Sequence, residues 1–235
     1  MKKFKTFIAL DLKSNAHNIN IVKKLYNHVY GFKVGYRSFY NNRSNELISE
    51  IKKKKSKLFL DLKLHDIPKT VSSAIDSLSN INPDFITLHI SGGSEMMEAA
   101  NRSIRKNKLK TKILGVTLLT SLDGKDSKRI YKEEDTKKLV KKFANIANKA
   151  WIHGLICSGE ELIALRKFNK LIKITPGVKL FARNDDQKRV TFAHNALQDG
   201  ASFVVIGREL IVSKRPLDLL KKYGEQHKNK NLWTK

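Results

Sequence analysis

Asp61, Lys63 and Asp66 have the residue types and the spacing of a catalytic charge array. They stand in Phe59-Leu60-Asp61-Leu62-Lys63-Leu64-His65-Asp66-Ile67-Pro68-Lys69-Thr70-Val71, which reads as a strand, a loop and the start of a helix. Side chains alternate faces along a strand, so Phe59, Asp61 and Lys63 share one side and Leu58, Leu60 and Leu62 the other. Pro68 suits a first helical turn, where its missing N–H is not needed. An ammonium flanked by carboxylates stays protonated, and it can neutralise developing negative charge or deliver a proton. Two readings follow from the pattern: a structural ion pair inside a barrel, or a catalytic Asp-Lys-Asp array at the mouth of a parallel-strand barrel.

The elements that must position these residues alternate along the whole chain. Strands are expected at 6–11, 31–35, 58–63, 85–90, 112–119, 154–158, 171–175 and 202–206. Helices are expected at 14–29, 44–55, 70–81, from 94, 134–149, 160–168, 187–198 and 216–223, with a polar loop after residue 121. Eight strand–helix units in 235 residues predict an α/β protein built as a single (β/α)8 barrel. Residues 1–224 form that domain in this reading, and 225–235 form a polar tail expected to fray. Active sites of such barrels lie at the C-terminal ends of the strands. The polar residues there are Asp11, Lys33, Asp61, Lys63, His89, Thr120, Ser121, Ser158 and Arg208. Lys33 sits in an otherwise apolar strand, a costly place for a charge without a partner, so a pocket role is expected. Gly177 and Gly207 end strands seven and eight, where backbone N–H groups commonly hold phosphate, and Arg208 adds a charge-assisted contact.

Composition narrows the alternatives. The net charge is +25, but the lysines are spread through every helix, without an aromatic-interleaved basic stripe or a nucleic-acid motif. Nucleic acid is therefore not an expected partner. No apolar run approaches membrane-spanning length, and Asp11 cuts short the only leader-like start, so a soluble cytoplasmic protein is expected and a membrane is not. One cysteine, Cys157, excludes an intrachain disulfide and any multi-cysteine zinc site, and it reads as core. The histidines lack HxH or HExxH spacing, so no metal is expected, and His65 and His89 read as packed residues.

Asp61-Leu62-Lys63-Leu64-His65-Asp66-Ile67-Pro68 with Thr70-Val71 resembles the signature of the orotidine 5′-phosphate decarboxylase family. The likeness runs through Ala9-Leu10-Asp11, Phe32-Lys33-Val34-Gly35, His89-Ile90-Ser91-Gly92-Gly93, Leu119-Thr120-Ser121, Thr175-Pro176-Gly177, Asp186-Gln187-Lys188-Arg189-Val190 and Val205-Ile206-Gly207-Arg208. The resemblance implies a homodimeric decarboxylase without cofactor or metal, making UMP from orotidine 5′-phosphate. It implies that Lys63 protonates C6, with Lys33, Asp61 and the Asp66 of a second subunit completing the array. By the same resemblance, Asp11 and a second subunit's Thr70 hold the ribose, Thr120 or Ser121 the pyrimidine, and Gln187, Gly207 and Arg208 the phosphate. Ile67 and Pro176 join the expected substrate-binding set. The chain departs from the family at Lys69, usually Asn, and at Phe192, often Pro. It departs again at Lys179, usually Arg, with Arg183 nearby as a substitute. The nearest rivals are the magnesium-dependent 3-keto-L-gulonate 6-phosphate decarboxylases and hexulose phosphate synthases, which share Asp-x-Lys-x-x-Asp but carry a carboxylate where this chain has Lys33. A more distant rival is a nucleic-acid-binding barrel with a relic pocket.

Overall fold

The apolar runs become parallel strands in the computed structural model, which describes residues 2–181, 191–227 and 232–234. They are β1 (Phe4–Ala9), β2 (Val29–Gly35), β3 (Lys57–Leu64), β4 (Phe85–His89), β5 (Lys112–Val116), β6 (Gly154–Ile156), β7 (Ile172–Thr175) and β8 (Phe203–Ile206). They neighbour one another in sequence order and β8 returns to β1, so the described strands form a closed (β/α)8 barrel. Helices cover a parallel sheet on its outer face, which is why Leu58, Phe59 and Leu60 are all buried although they alternate sides.

By internal contacts the chain divides into two compact units, Met1–Asp61 with Thr175–Lys235, and Leu62–Ile174. In the first, α1 (Asn15–Leu25) packs on α3 (Ser44–Lys53) and on α10 (Pro216–Gln226), and α2 (Tyr36–Phe39) follows β2 directly. The rings of Phe7, Tyr30, Phe59 and Phe203 pack together, with Phe7–Phe59 centroids 5.4 Å apart and Tyr30–Phe203 4.2 Å apart. Burying an aromatic or leucine side chain contributes about 1.5–3 kcal/mol, so this cluster is a firm floor two residues below Asp61. In the second unit, α4 (Pro68–Ser77) packs on α5 (Ser94–Lys106), and α7 (Thr136–Lys149) packs on α5.

Several boundaries differ from the sequence reading. The first helix stops at Leu25, because Val29 pairs with Phe4 as the start of β2. The stretch expected as a polar loop contains α6 (Gly124–Tyr131), capped reciprocally by Asp123 and Asp126. The helix expected at 160–168 is two short 3-10 turns, Gly159–Glu161 and Ile163–Leu165, and Glu161 folds back to accept from the Ser158 N–H. In the last third, α8 (Ala193–Gln198) covers the described end of the helix expected at 187–198, whose first residues lie outside the described ones, and α9 (Arg208–Ile211) follows β8. The expected fraying fails at the described end of the tail. Trp233 stacks on Phe4 with centroids 3.9 Å apart, Leu232 is buried, and the Lys5 N–H donates to the Leu232 carbonyl at 2.8 Å.

Candidate active site

In the first unit the structure brings Asp11, Lys33 and Asp61 together. β2 places Lys33 beside Ala9 of β1, and it places Gly35 beside Asp61 of β3. Lys33 Nζ lies 3.2 Å from Asp61 Oδ2 and 3.6 Å from Asp11 Oδ2. The Lys33 and Asp61 side chains are each 12% exposed. Stripping one partner from such a pair leaves a buried charge, typically a loss of about 3–5 kcal/mol; here a second carboxylate shares the ammonium. Gly35 leaves the room for this arrangement. A β-carbon there would stand 3.4 Å from both Asp11 Oδ1 and Lys33 Nζ, so a longer side chain would press on the pair. Burial, then the Asp61 carboxylate, push the neighbouring Tyr36 phenol above its ordinary pKa.

A buried polar network fixes the chain just before Asp11. The Ser38 hydroxyl donates to the Leu10 carbonyl. Asn18 Nδ2 donates to Ser38 Oγ at 3.0 Å and to Asn15 Oδ1 at 3.0 Å, while Asn15 Nδ2 donates to the Ser38 carbonyl at 2.9 Å. All three side chains are buried, and satisfied buried networks of this kind rigidify what they hold. The sequence reading misses them, because Ser38 lies twenty or more residues from each of its partners.

In the second unit, Lys63 closes the strand in an unusual conformation. Its φ is 42°, in the left-handed region that ordinary side chains avoid. Its backbone N–H is taken by the hydroxyl of Thr87, fully buried on β4, at 2.8 Å. Thr87 is a second residue the sequence reading misses. Asp66 is exposed and accepts from the Ile67 N–H at 2.7 Å, forming the turn into α4. Ile67 is 65% exposed, and Thr70 is exposed in the first turn of α4. Thr120 and Ser121 are exposed in the loop between β5 and α6. Past β6, burial pushes the Glu161 carboxyl above its ordinary pKa, against the hydrogen bond from Ser158. The His65 and His89 rings lie 5.2 Å apart, and Cys157 is buried.

The described residues expected to hold phosphate belong to the first unit. Gly177, just after Pro176, has φ 74°, a turn that favours glycine. Gly207 stands where an added β-carbon would be 3.7 Å from the Ala9 β-carbon, and Arg208 is exposed at the start of α9. Lys179 exchanges backbone hydrogen bonds with residues 191–193, its N–H donating to the Thr191 carbonyl and its own carbonyl accepting from Ala193. Glu209 accepts from the N–H groups of Leu180 at 2.7 Å and Phe181 at 3.2 Å, fixing the chain after Lys179. Arg183 and Gln187 lie outside the described residues. Glu209 is a further residue the sequence reading misses, although it directly follows Arg208.

The profile of the orotidine 5′-phosphate decarboxylase / HUMPS family matches residues 5–223. The orotidine 5′-phosphate decarboxylase of Erythrobacter litoralis is 37% identical over 212 residues, covering 89% of this chain and 93% of the relative. That of Staphylococcus epidermidis is 35% identical over 234 residues, covering 96% of each. The crystal structure of orotidine 5′-phosphate decarboxylase from Lactobacillus acidophilus superposes with a TM-score of 0.79 at 27% identity, over 95% of this chain and 99% of that one. With the profile spanning nearly its full length and relatives above one-third identity, the chain belongs to the orotidine 5′-phosphate decarboxylase / HUMPS family.

Proposed function

We propose that this chain is a cytoplasmic, homodimeric orotidine 5′-phosphate decarboxylase, acting without metal or cofactor to form UMP and CO2 in the final step of pyrimidine synthesis. The observation that carries the reading is Lys33, an ammonium held between Asp61 and Asp11. In the magnesium-dependent relatives the resemblance assigns this position to a carboxylate, and a fixed cation there repels a divalent ion. The curated relatives named above carry the same activity in their names.

The proposed chemistry follows from charge. Losing CO2 leaves a carbanion at C6 with little delocalisation into the ring, so the reaction needs a fixed cation and a ready proton at that carbon. Lys63 supplies both, two residues after Asp61 on β3. Asp66, exposed beyond the end of its strand with Thr70 one turn on, is suited to reach a second subunit's site. Asp11 and Thr70 hold the ribose in this proposal, Thr120 or Ser121 the pyrimidine, and Ile67 and Pro176 line the pocket. Gly207 and Arg208 hold the phosphate together with Gln187 and with Lys179 or Arg183. The test is the fall in absorbance when chelator-treated protein meets orotidine 5′-phosphate. Turnover is expected without added metal, and activity that requires magnesium would refute the proposal.

Phosphate binding far from C6 is expected to organise the charged groups as well as capture substrate. Arg208→Ala is therefore expected to raise KM strongly and to lower kcat, read from steady-state kinetics. Orotidine reacting as well as its phosphate would show that the site is misplaced.

Thr87→Val keeps the side chain's shape and removes the acceptor for the Lys63 N–H. Leaving that donor unmet is expected to cost about 1–3 kcal/mol of stability. It should also lower kcat about tenfold with little change in KM, because the proton donor loses its fixed position. Thr87→Ser, which restores the hydroxyl, should recover both. Equal kcat in the valine and serine variants would separate Thr87 from the chemistry.

A further inference from the structure

Trp151 is the least economical residue on the surface. It is 83% exposed, and its φ is 57°, a left-handed position after α7 that normally falls to glycine or asparagine. Lys55, Lys108 and Lys132 take the same region at helix ends, so what sets Trp151 apart is a large indole left in solvent.

Its surroundings are cationic. Trp151 lies in the connection from α7 to β6, beside Lys149. The Asn101 side chain donates to the Ala150 carbonyl at 2.9 Å and to the Trp151 carbonyl at 3.3 Å, tying this turn to α5. The connection from α5 to β5 carries Lys108, Lys110 and Lys112, all exposed. It is joined to the same turn where the Ile113 N–H donates to His153 Nδ1 at 3.2 Å. The connection into β7 carries exposed Lys167 and Lys170, and it is joined where the Ile172 N–H donates to the His153 carbonyl at 3.1 Å. Residues 105–112, 148–153 and 166–173 contain no Asp or Glu. Two acids of this unit do stand at this end, Asp84 just before β4 and Asp76, which accepts from Asn107 Nδ2 at 2.6 Å, while Asp66, Glu95, Asp123, Asp126, Glu160 and Glu161 follow the strands' other ends. Burial, and then Lys112, hold the His153 imidazole below its ordinary pKa.

We propose that this face, at the N-terminal ends of β4–β7, binds a single-stranded polynucleotide, with Trp151 stacking on a base and the surrounding lysines contacting the backbone phosphates. Stacking on an exposed aromatic within a cationic groove is how single strands are bound without sequence preference. A duplex hides its base faces. A bilayer is the poorer fit, because interfacial binding needs a broad apolar face, and Trp151 is the only exposed large apolar residue described in these connections. The linear sequence shows no aromatic-interleaved basic stripe because the indole and the cations come from three separate connections.

The test is fluorescence anisotropy of a labelled single strand of about ten nucleotides, within the usual site size of one such groove. Three or four neutralised phosphates predict a log–log salt slope of about −2 to −3. Saturating UMP should not displace the strand, and intrinsic tryptophan emission should be quenched on binding. Trp151→Ala should weaken binding about tenfold, and Trp151→Phe should retain most of it while abolishing the quench. Joint substitution of Lys108, Lys110, Lys149 and Lys170 by Glu should abolish binding, whereas the same change at Lys125, Lys137, Lys141 and Lys142 should leave most of it. Thermal melts check that each variant is folded, and the salt slope, quench and UMP competition need no variant. Equal loss in the two charge-reversed proteins would show diffuse attraction and overturn the proposal. So would displacement by UMP, a duplex bound as tightly as the single strand, or binding to phosphatidylserine vesicles without binding to the oligonucleotide.

Discussion

Lys63→Ala is expected to fold and to lose at least about four orders of magnitude in kcat. General acid catalysis is typically worth about 10²–10⁴-fold, and a preorganised charge aimed at the reacting centre about 10²–10³-fold more. In the proposed mechanism one side chain supplies both. The substitution removes no core packing, since Lys63 is half-buried at the end of its strand. Single-turnover measurement of CO2 release separates the chemical step from binding. A loss below about tenfold, or ~1.4 kcal/mol in the barrier, would show that Lys63 is not the proton donor.

The second large effect is the rescue of two dead proteins by each other. Asp66→Asn is expected to be inactive like Lys63→Ala, because each removes one member of the same charge array. If Asp66 completes a second subunit's site, a mixed dimer rebuilds one intact site and places both lesions in the other. Random pairing after refolding gives half heterodimers with half their sites intact, so roughly a quarter of the native activity per chain should return. Dilution below the dimer dissociation constant should abolish it again. Verified mixed dimers without recovery would mean that Asp66 serves its own barrel.

What the sequence discloses and what it hides divide on physical lines. The strands are legible because parallel strands buried on both faces leave continuous apolar runs, and Lys33 is legible because a charge within such a run demands a partner. Thr87 raises no such flag, since threonine is at home in strands and its hydroxyl gains meaning only beside the Lys63 N–H. Asn15, Asn18 and Ser38 are equally silent, because only the fold brings the end of β1 to the start of α2. The helix α6 is readable from Asp123 and Asp126, whose spacing is that of a capping box. The packing of Trp233 on Phe4 joins the two ends of the chain, which no local pattern announces.

The left-handed backbone at Lys63 bears on how this position changes over generations. A non-glycine residue held there costs of the order of 1–3 kcal/mol, a sizeable part of a domain's whole margin of about 5–15 kcal/mol. Glycine or asparagine would carry the same turn with less strain. If Lys63 is the proton donor proposed above, selection for activity retains lysine at position 63 against this pull toward glycine or asparagine. In a lineage supplied with pyrimidines from outside, this would be among the first positions to drift, and it would drift toward a sturdier protein.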